Sequence, residues 1–332
     1  MKIFQHLREV EGLGPTIVSI GNFDGVHAGH TQVVNQIVKL GAERGLQSVV
    51  LTFEPHPVRV LRPDSRLKLL TPTPEKLRLL GDLGLDAVLV LPFTQELCEM
   101  PPREFASQIL QHGLHAHEVH EGYNFRFGHK AAGDVKTLAD LGQEMGFEVV
   151  IYPEMRLRNQ PVSSSQIRAL LAEGQVSMAR RLLGHAFGIL GTAASGRGYG
   201  SKYTVPTINL AEYQELVPKH GVYITRTRVG DECFDSVTNV GNRPTFGADS
   251  FAVESHLLDF HPLELHAQTP IEICFLERLR DEIKFPSVDA LREQIGKDVA
   301  KAQRFFRLLK QKKLSAVGSH FRGAASRPLS PL

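Results

Sequence analysis

The stretch IGNFDGVHAGH, residues 20–30, places Asn22, Asp24, His27 and His30 directly behind the apolar run TIVSI (16–20). Imidazoles at a strand-to-helix corner can donate hydrogen bonds to phosphate oxygens without the fixed charge of lysine. The pattern puts Gly29 or His30 at the N-terminus of the first long helix, where unpaired backbone N–H groups and the helix dipole favour an anion. A second segment, PVSSSQIRALLAEG (161–174), follows a late strand. Its serines can cap a helix beginning near Ser165, and Ser164 and Arg168, four apart, share a helix face. Two such corners would aim N–H groups, hydroxyls and Arg168 into one crevice. That is a triphosphate site with no lysine-bearing P-loop.

A different chemistry is suggested by GTAASGRGYGSKYTVPTINL (191–210). Thr207 and Asn209 alternate by two, so on a strand both point to one face. A hydroxyl and an amide carbonyl are hard oxygen ligands that suit Mg²⁺ and a phosphate together. Downstream, FAVESHLLDF sets Glu254 inside an otherwise apolar strand, where a buried carboxylate is costly unless paired or used. A salt bridge and a catalytic base both satisfy that condition. His115, His117 and His120 in HGLHAHEVH form a third cluster, but no carboxylate or cysteine stands beside them at zinc spacing. No metal role is assigned to them.

These residues need elements to position them. From 16 to 152, short apolar strands (16–20, 48–53, 86–91, 117–122, 147–152) alternate with amphipathic helices (30–45, 74–84, 102–113, 133–146). This means a parallel sheet with right-handed crossovers, whose ligands bind beyond the carboxyl ends of the strands. After about residue 185 the runs are short, alternating and rich in Gly, Thr and Tyr, an antiparallel barrel or sandwich. One helix closes it, with Leu291, Ile295, Val299 and Phe306 on a face. The tail from about 314, rich in Ser, Ala, Gly and Pro, lacks the apolar content to order itself. With 332 residues, two domains are expected.

A composition of 42% hydrophobic and 22% charged residues with a net charge of +2 is that of a globular protein. Neither a nucleic-acid stripe nor a membrane patch is evident. The N-terminus lacks an apolar signal core, and no apolar stretch approaches the length of a spanning helix. Cys98, Cys233 and Cys274 lie far apart, against a disulfide framework and in favour of a reducing cytoplasm.

GxFDGxHxGH after a strand, with a distant SSxxIR opening a helix, resembles the HxGH nucleotidyltransferases. With TFEPHP (52–57) and EGYNFRFGHKAAGD (121–134), the first half is similar to the N-terminal module of prokaryotic bifunctional riboflavin kinase/FMN adenylyltransferases. GRGYGSKYTVPTIN, TNVGNRPTFG, VESHLLDF and LERLRDEIKFPS resemble the flavokinase module that follows it in that family. The resemblance implies a Rossmann-like α/β/α nucleotidyltransferase domain (1–184), a flavokinase antiparallel β-barrel with a C-terminal helix (185–312) and a disordered tail (313–332).

It implies ATP phosphates on His27 and His30, with Gly21, Asn22, Phe23 and Asp24 organising the loop and its nucleotide. Ser164, Ser165 and Arg168 bind phosphates from the other corner. Phe53, Pro55, His56, Tyr123, Asn124 and Phe125 lie near FMN. In the second module Thr207 and Asn209 hold Mg²⁺-ATP, and Glu254 is the base for the ribityl hydroxyl. Gly191, Gly196, Arg197, Gly198 and Gly200 form the phosphate-covering and flavin-binding run there. Riboflavin, FMN and ATP are the implied substrates, and FMN and FAD the products, with no nucleic-acid or membrane partner. Two departures stand out: Thr204 occupies a position where glycine is commonest. Ala131 and Ala132 occupy a stretch that commonly carries a basic residue, which leaves Lys130 for any basic contact.

Overall fold

The computed structural model describes residues 1–10, 12–193, 207–211, 213–242, 251–261 and 268–315. It separates into two compact units. Residues 1–168 with 181–185 form one, and 169–180 with the described residues from 186 onward form the other.

In the first unit, β1 (Lys2–Phe4), β2 (Thr16–Ile20), β3 (Gln47–Glu54), β4 (Ala87–Pro92), β5 (Ala116–Gly122) and β6 (Glu148–Tyr152) make a parallel sheet. Its order is β1-β4-β3-β2-β5-β6. Its longer helices are α1 (Ala28–Arg44), α2 (Thr73–Asp82), α3 (102–113, wound as a π-helix over Ala106–Gly113) and α4 (Val135–Met145), while α5 (Ser164–Ala172) and α6 (Val176–Leu183) each have residues in both units. Successive strand residues serve opposite layers. Ile17, Val50 and Val88 pack with Val34 and Ile37 of α1 and Leu80 of α2. Val18, Leu51 and Leu89 pack with Ile109 of α3 and Leu138 of α4. Strands buried on both faces explain why TIVSI and SVVLTF read as unbroken apolar runs. The edge strand β1 has no such signal because Ile3 is largely exposed.

The strand order reverses between β2 and β5, so their carboxyl ends diverge into a crevice, the place where open α/β sheets bind ligands. Their ladder ends at Val18–Val119. Beyond it the buried side chain of Glu121 accepts the Ile20 N–H. Burial pushes that carboxyl well above its usual range.

The second unit contains β7 (Phe187–Thr192), β8 (Thr207–Asn209), β9 (Gly221–Val229), β10 (Glu232–Asn242), β11 (Phe251–Leu257) and β12 (Pro270–Arg280). Their order is β7-β12-β9-β10-β11-β8, antiparallel throughout. An Ala193–Leu210 bridge joins the ends of β7 and β8, so the sheet closes on itself as a barrel rather than a sandwich. Helix α7 (Val288–Ser315) packs Ala302 and Phe306 against Ile224 and Leu276. Its apolar face differs from the expected one, since Leu291 is exposed. Asp298 takes the inward position instead and meets Arg280 at 2.8 Å. The helix extends to Ser315, and the expected disordered tail otherwise lies outside the described residues.

Inside the barrel, Thr225, Thr227, Ser236, Thr238 and Ser255 are fully buried. Their hydroxyls form a closed ring, Thr225–Ser236–Thr227–Ser255–Thr238, with every link between 2.6 and 3.0 Å. Each hydroxyl can donate once and accept once around the ring, so a polar core is fully satisfied without water. The ring spans β9, β10 and β11 and fixes their register. Thr225→Val keeps the volume but leaves Ser236 and Thr238 each short of a partner. It is expected to cost about 1–3 kcal/mol, read as a lower urea midpoint with an unchanged slope.

Candidate functional sites

At the end of β2 the chain turns through a loop in which Phe23 (φ 48°), Gly25 (φ 87°) and Val26 (φ 37°) are left-handed. At Gly25 the left-handed backbone itself favours glycine, since any L side chain there is strained. The buried Asp24 holds the loop. Its Oδ1 accepts from Leu70 N (2.9 Å) and Thr71 N (3.0 Å), and its Oδ2 pairs with the Arg168 guanidinium. Ser164 Oγ donates to the Asp24 carbonyl (2.8 Å), and Arg168 Nε donates to Lys68 O (3.1 Å). Ser164 and Arg168 are thus brought to the loop, and both are engaged with Asp24. Ser165 is exposed.

Helix α1 starts at Ala28, earlier than the sequence pattern implies, because His27 is itself its N-cap. His27 Nδ1 accepts from His30 N at 3.3 Å. That bond places the His27 proton on Nε2, as a donor. α5 likewise starts at Ser164, one residue early, since Ser163 Oγ caps it by accepting from Gln166 N (3.2 Å). The His27 and His30 rings stack at 3.6 Å, with Phe23 at 4.9 Å from His30. His30 Nδ1 is buried without a hydrogen-bond partner among the described residues. Burial pushes His27 down to about 4 and His30 well below the usual imidazole range. Both are neutral donors at pH 7.

Above about 6.5 the imidazoles are neutral folded and unfolded, with no effect. As pH falls from 6.5 towards 4 the unfolded chain takes up protons that the fold refuses. For His27 the window corresponds to about 3 kcal/mol of lost stability. The difference in urea stability between wild type and His27→Gln should therefore shift in favour of the variant between pH 6.5 and 4.

The neighbouring strand ends carry the remaining expected residues. Phe53 packs edge-on to Phe93 at 5.6 Å, near Pro55 at the end of β3. His56 caps the helical turn Pro57–Leu61, its Nδ1 accepting from Val58 N at 3.2 Å. Burial lowers its pKa, with Asp24 opposing and Arg168 and Lys76 adding, so all four share one electrostatic neighbourhood. Beyond β5, Tyr123 and Asn124 are exposed, Tyr123 Oη donates to Glu154 (3.1 Å), and Phe125 stacks on Phe127. Gly21 N donates to Leu51 O (3.0 Å), and the Asn22 carbonyl accepts from Thr52 Oγ1 and Lys76 Nζ, both at 3.3 Å. Lys76 and Glu121 were not anticipated. Lys76 had a readable signal, because with Leu80 it lies on the buried stripe of α2, a charge where the pattern calls for an apolar residue. Of the three histidines in HGLHAHEVH, His115 and His117 are exposed. The fully buried His120 lies 2.8 Å from Tyr152 Oη and 3.2 Å from Glu118.

In the barrel, Asn209 stands directly opposite Glu254 across β8 and β11, and Thr207 opposite His256. On the other side Asn239 of β10 is the cross-strand partner of Glu254. Thr207, Asn209, Glu254 and Asn239 therefore share one face. Glu254 is half-buried rather than buried. The strand around it is less apolar than its sequence suggests, because Ser255 turns inward to the hydroxyl ring while Glu254 faces the other way. Gly191 lies on β7, where a Cβ would come within 3.0 Å of Leu210. Gly196, Arg197, Gly198, Gly200 and Thr204 lie outside the described residues.

A nucleotidyltransferase-type α/β unit with histidines at its switch-point corner, followed by a barrel with a Thr–Asn–Glu face, defines a two-module class. Residues 10–166 match the family model described as FAD synthetase, and 183–306 that described as riboflavin kinase. The bifunctional riboflavin kinase/FMN adenylyltransferase of Listeria monocytogenes is 34% identical over 293 residues, covering 87% of this chain and 92% of that one. Those of Escherichia coli K12 and Bacillus subtilis are 33% identical, each covering 89% of this chain and 94% of theirs. The chain belongs to the bifunctional riboflavin kinase/FMN adenylyltransferase family. A solved structure described as a macrolide-efflux protein of Streptococcus pneumoniae superposes with a TM-score of 0.82 at 24% identity, over 91% of this chain and 98% of that one. That likeness concerns the fold alone. Among the described residues no helix is long and apolar enough to cross a membrane.

Proposed function

We propose that the chain phosphorylates riboflavin to FMN with ATP on its barrel, and adenylylates FMN with a second ATP on its α/β unit. The observation that carries this is the presence of both constellations in one chain, each on the module whose family model it matches. In the barrel the ribityl 5′-hydroxyl attacks the γ-phosphorus of ATP and ADP leaves. Glu254 takes the hydroxyl proton, flanked on both sides by the neutral amides of Asn209 and Asn239. The donor set fits Mg²⁺: a hydroxyl and an amide oxygen, both hard, on one strand face. Thr207 and Asn209 would hold the ion, which when bound neutralises charge on the phosphates.

In the crevice the FMN phosphate attacks the α-phosphorus of ATP and pyrophosphate leaves. A phosphate nucleophile needs no base, and Asp24 is held by Arg168 and two backbone N–H groups. What the reaction needs is stabilisation of charge on the phosphates. His27, through Nε2–H, and His30 supply neutral donors at the N-terminus of α1. Gly21, Asn22 and Phe23 shape the loop, while Ser164, Ser165 and Arg168 bind phosphate from the second corner. Phe53, Pro55, His56, Tyr123, Asn124 and Phe125 receive FMN at the neighbouring strand ends.

Position-specific isotopes test the scheme. With riboflavin and [γ-³²P]ATP the label should enter FMN. With FMN and [α-³²P]ATP it should enter FAD. Label from the α-position in FMN, or none in FAD, would contradict it.

A further inference from the structure

Lys76 is almost wholly buried in α2, and its Nζ contacts two neutral oxygens, Asn22 O at 3.3 Å and Thr52 Oγ1 at 3.1 Å. No carboxylate lies within ion-pairing distance of it among the described residues. Asp24 and Glu54 act on it only at longer range, and each is engaged, Asp24 by Arg168 and Glu54 by the Thr73 hydroxyl. An ammonium buried without a contacting counter-charge is costly. Two features of the crevice account for it.

The first is backbone. Asn22, whose carbonyl Lys76 grips, directly precedes Phe23 at φ 48°, and Val26 follows at φ 37°. A β-branched residue in the left-handed region is rare and must be over-determined by its surroundings. The second is charge. His27 and His30 are neutral, and the Arg168 guanidinium is balanced by contact with Asp24. The field of Lys76 reaches the site, because it is one cause of the lowered values of both His30 and His56.

We propose that Lys76 is the buried fixed charge of the first site, pinning the Asn22 carbonyl from behind the loop and stabilising the pyrophosphate portion of a nucleoside triphosphate through its field. It is a positioning residue, and the proposal rests on the reading of this crevice as an adenylyl-transfer site. The bound anion is its missing counter-charge.

The reverse reaction isolates this site, since the kinase module has no use for pyrophosphate. A pyrophosphate oxygen attacks the adenylyl phosphorus of FAD, the bond to the FMN phosphate breaks, and ATP and FMN result. Lys76→Met keeps the stem and removes the charge. Lys76→Gln also removes the charge but retains a donor towards Asn22, which guards against simple unfolding. In both, the KM for pyrophosphate should rise roughly ten-fold or more, while riboflavin phosphorylation is unchanged. Lys76→Arg should stay nearer the parent. Histidine titrations followed by NMR should move upward for His30 and His56 in the neutral variants, a shift that loss of a mere structural pin would not give. An unchanged KM in folded Lys76→Gln overturns the proposal, as does Lys76→Arg as impaired as Lys76→Met with unmoved histidine titrations. A parent protein that forms no FAD from FMN overturns instead the reading of the crevice.

Discussion

In a His30→Ala protein, riboflavin is expected to stop at FMN. FMN should accumulate at the parental rate, and its conversion to FAD should fall by about 10²–10³-fold or below detection. His30 lies in the first turn of α1, stacked on His27 and beneath Phe23, with a buried ring nitrogen that no described group satisfies. Such an atom is expensive to leave unmade in a purely structural residue. Alanine also removes the stacking partner of His27 but not the cap, because the bond from position 30 to His27 Nδ1 comes from the backbone N–H. The helix therefore keeps its start while the donor set loses a member. A folded His30→Ala protein with undiminished FAD synthesis would sink the assignment.

Glu254→Gln should produce the opposite defect, a chain that converts supplied FMN to FAD but cannot use riboflavin. Loss of a general base typically costs about 10²–10⁴-fold in rate. Glutamine preserves the shape beside Asn209 and Asn239, its cross-strand neighbours. A buried structural ion pair would behave differently, since removing one partner strands the other charge at about 3–5 kcal/mol. Half-burial of Glu254 lowers that cost but does not remove it. A variant that melts much earlier, or that phosphorylates riboflavin at the parental rate, would return Glu254 to a structural role. Mixing the two variants should restore conversion of riboflavin to FAD, because FMN released by one is a substrate for the other.

The parallel sheet was legible because β2, β3 and β4 are buried on both faces and their runs are uninterrupted. The face shared by Thr207 and Asn209 followed from the two-residue period, whereas Glu254 joins it only through the register that sets it opposite Asn209. The apolar period places the helix starts late for one physical reason. The caps are side chains of His27 and Ser163, and a capping bond sets the first turn before the apolar period begins. The hydroxyl ring was not legible, since Thr and Ser on a strand read equally well as a solvated face until Thr225, Ser236 and Ser255 are seen to meet. Glu121 was opaque in the same way, because its partner is the backbone of another strand 101 residues away. Lys76 could have been found. A lysine aligned with Leu80 on the inward stripe of an amphipathic helix is a buried charge, and a buried charge needs a reason.

On this reading two active sites in one chain act in sequence, joined by FMN. Purified protein incubated with riboflavin, ATP and Mg²⁺, with the flavins separated by chromatography at intervals, tests it directly. FMN should appear first and FAD after a lag, with ADP released one per flavin phosphorylated and pyrophosphate one per FAD, so that each completed FAD accounts for two ATP. FMN without FAD, FAD from FMN but no use of riboflavin, or no turnover of either flavin would contradict it.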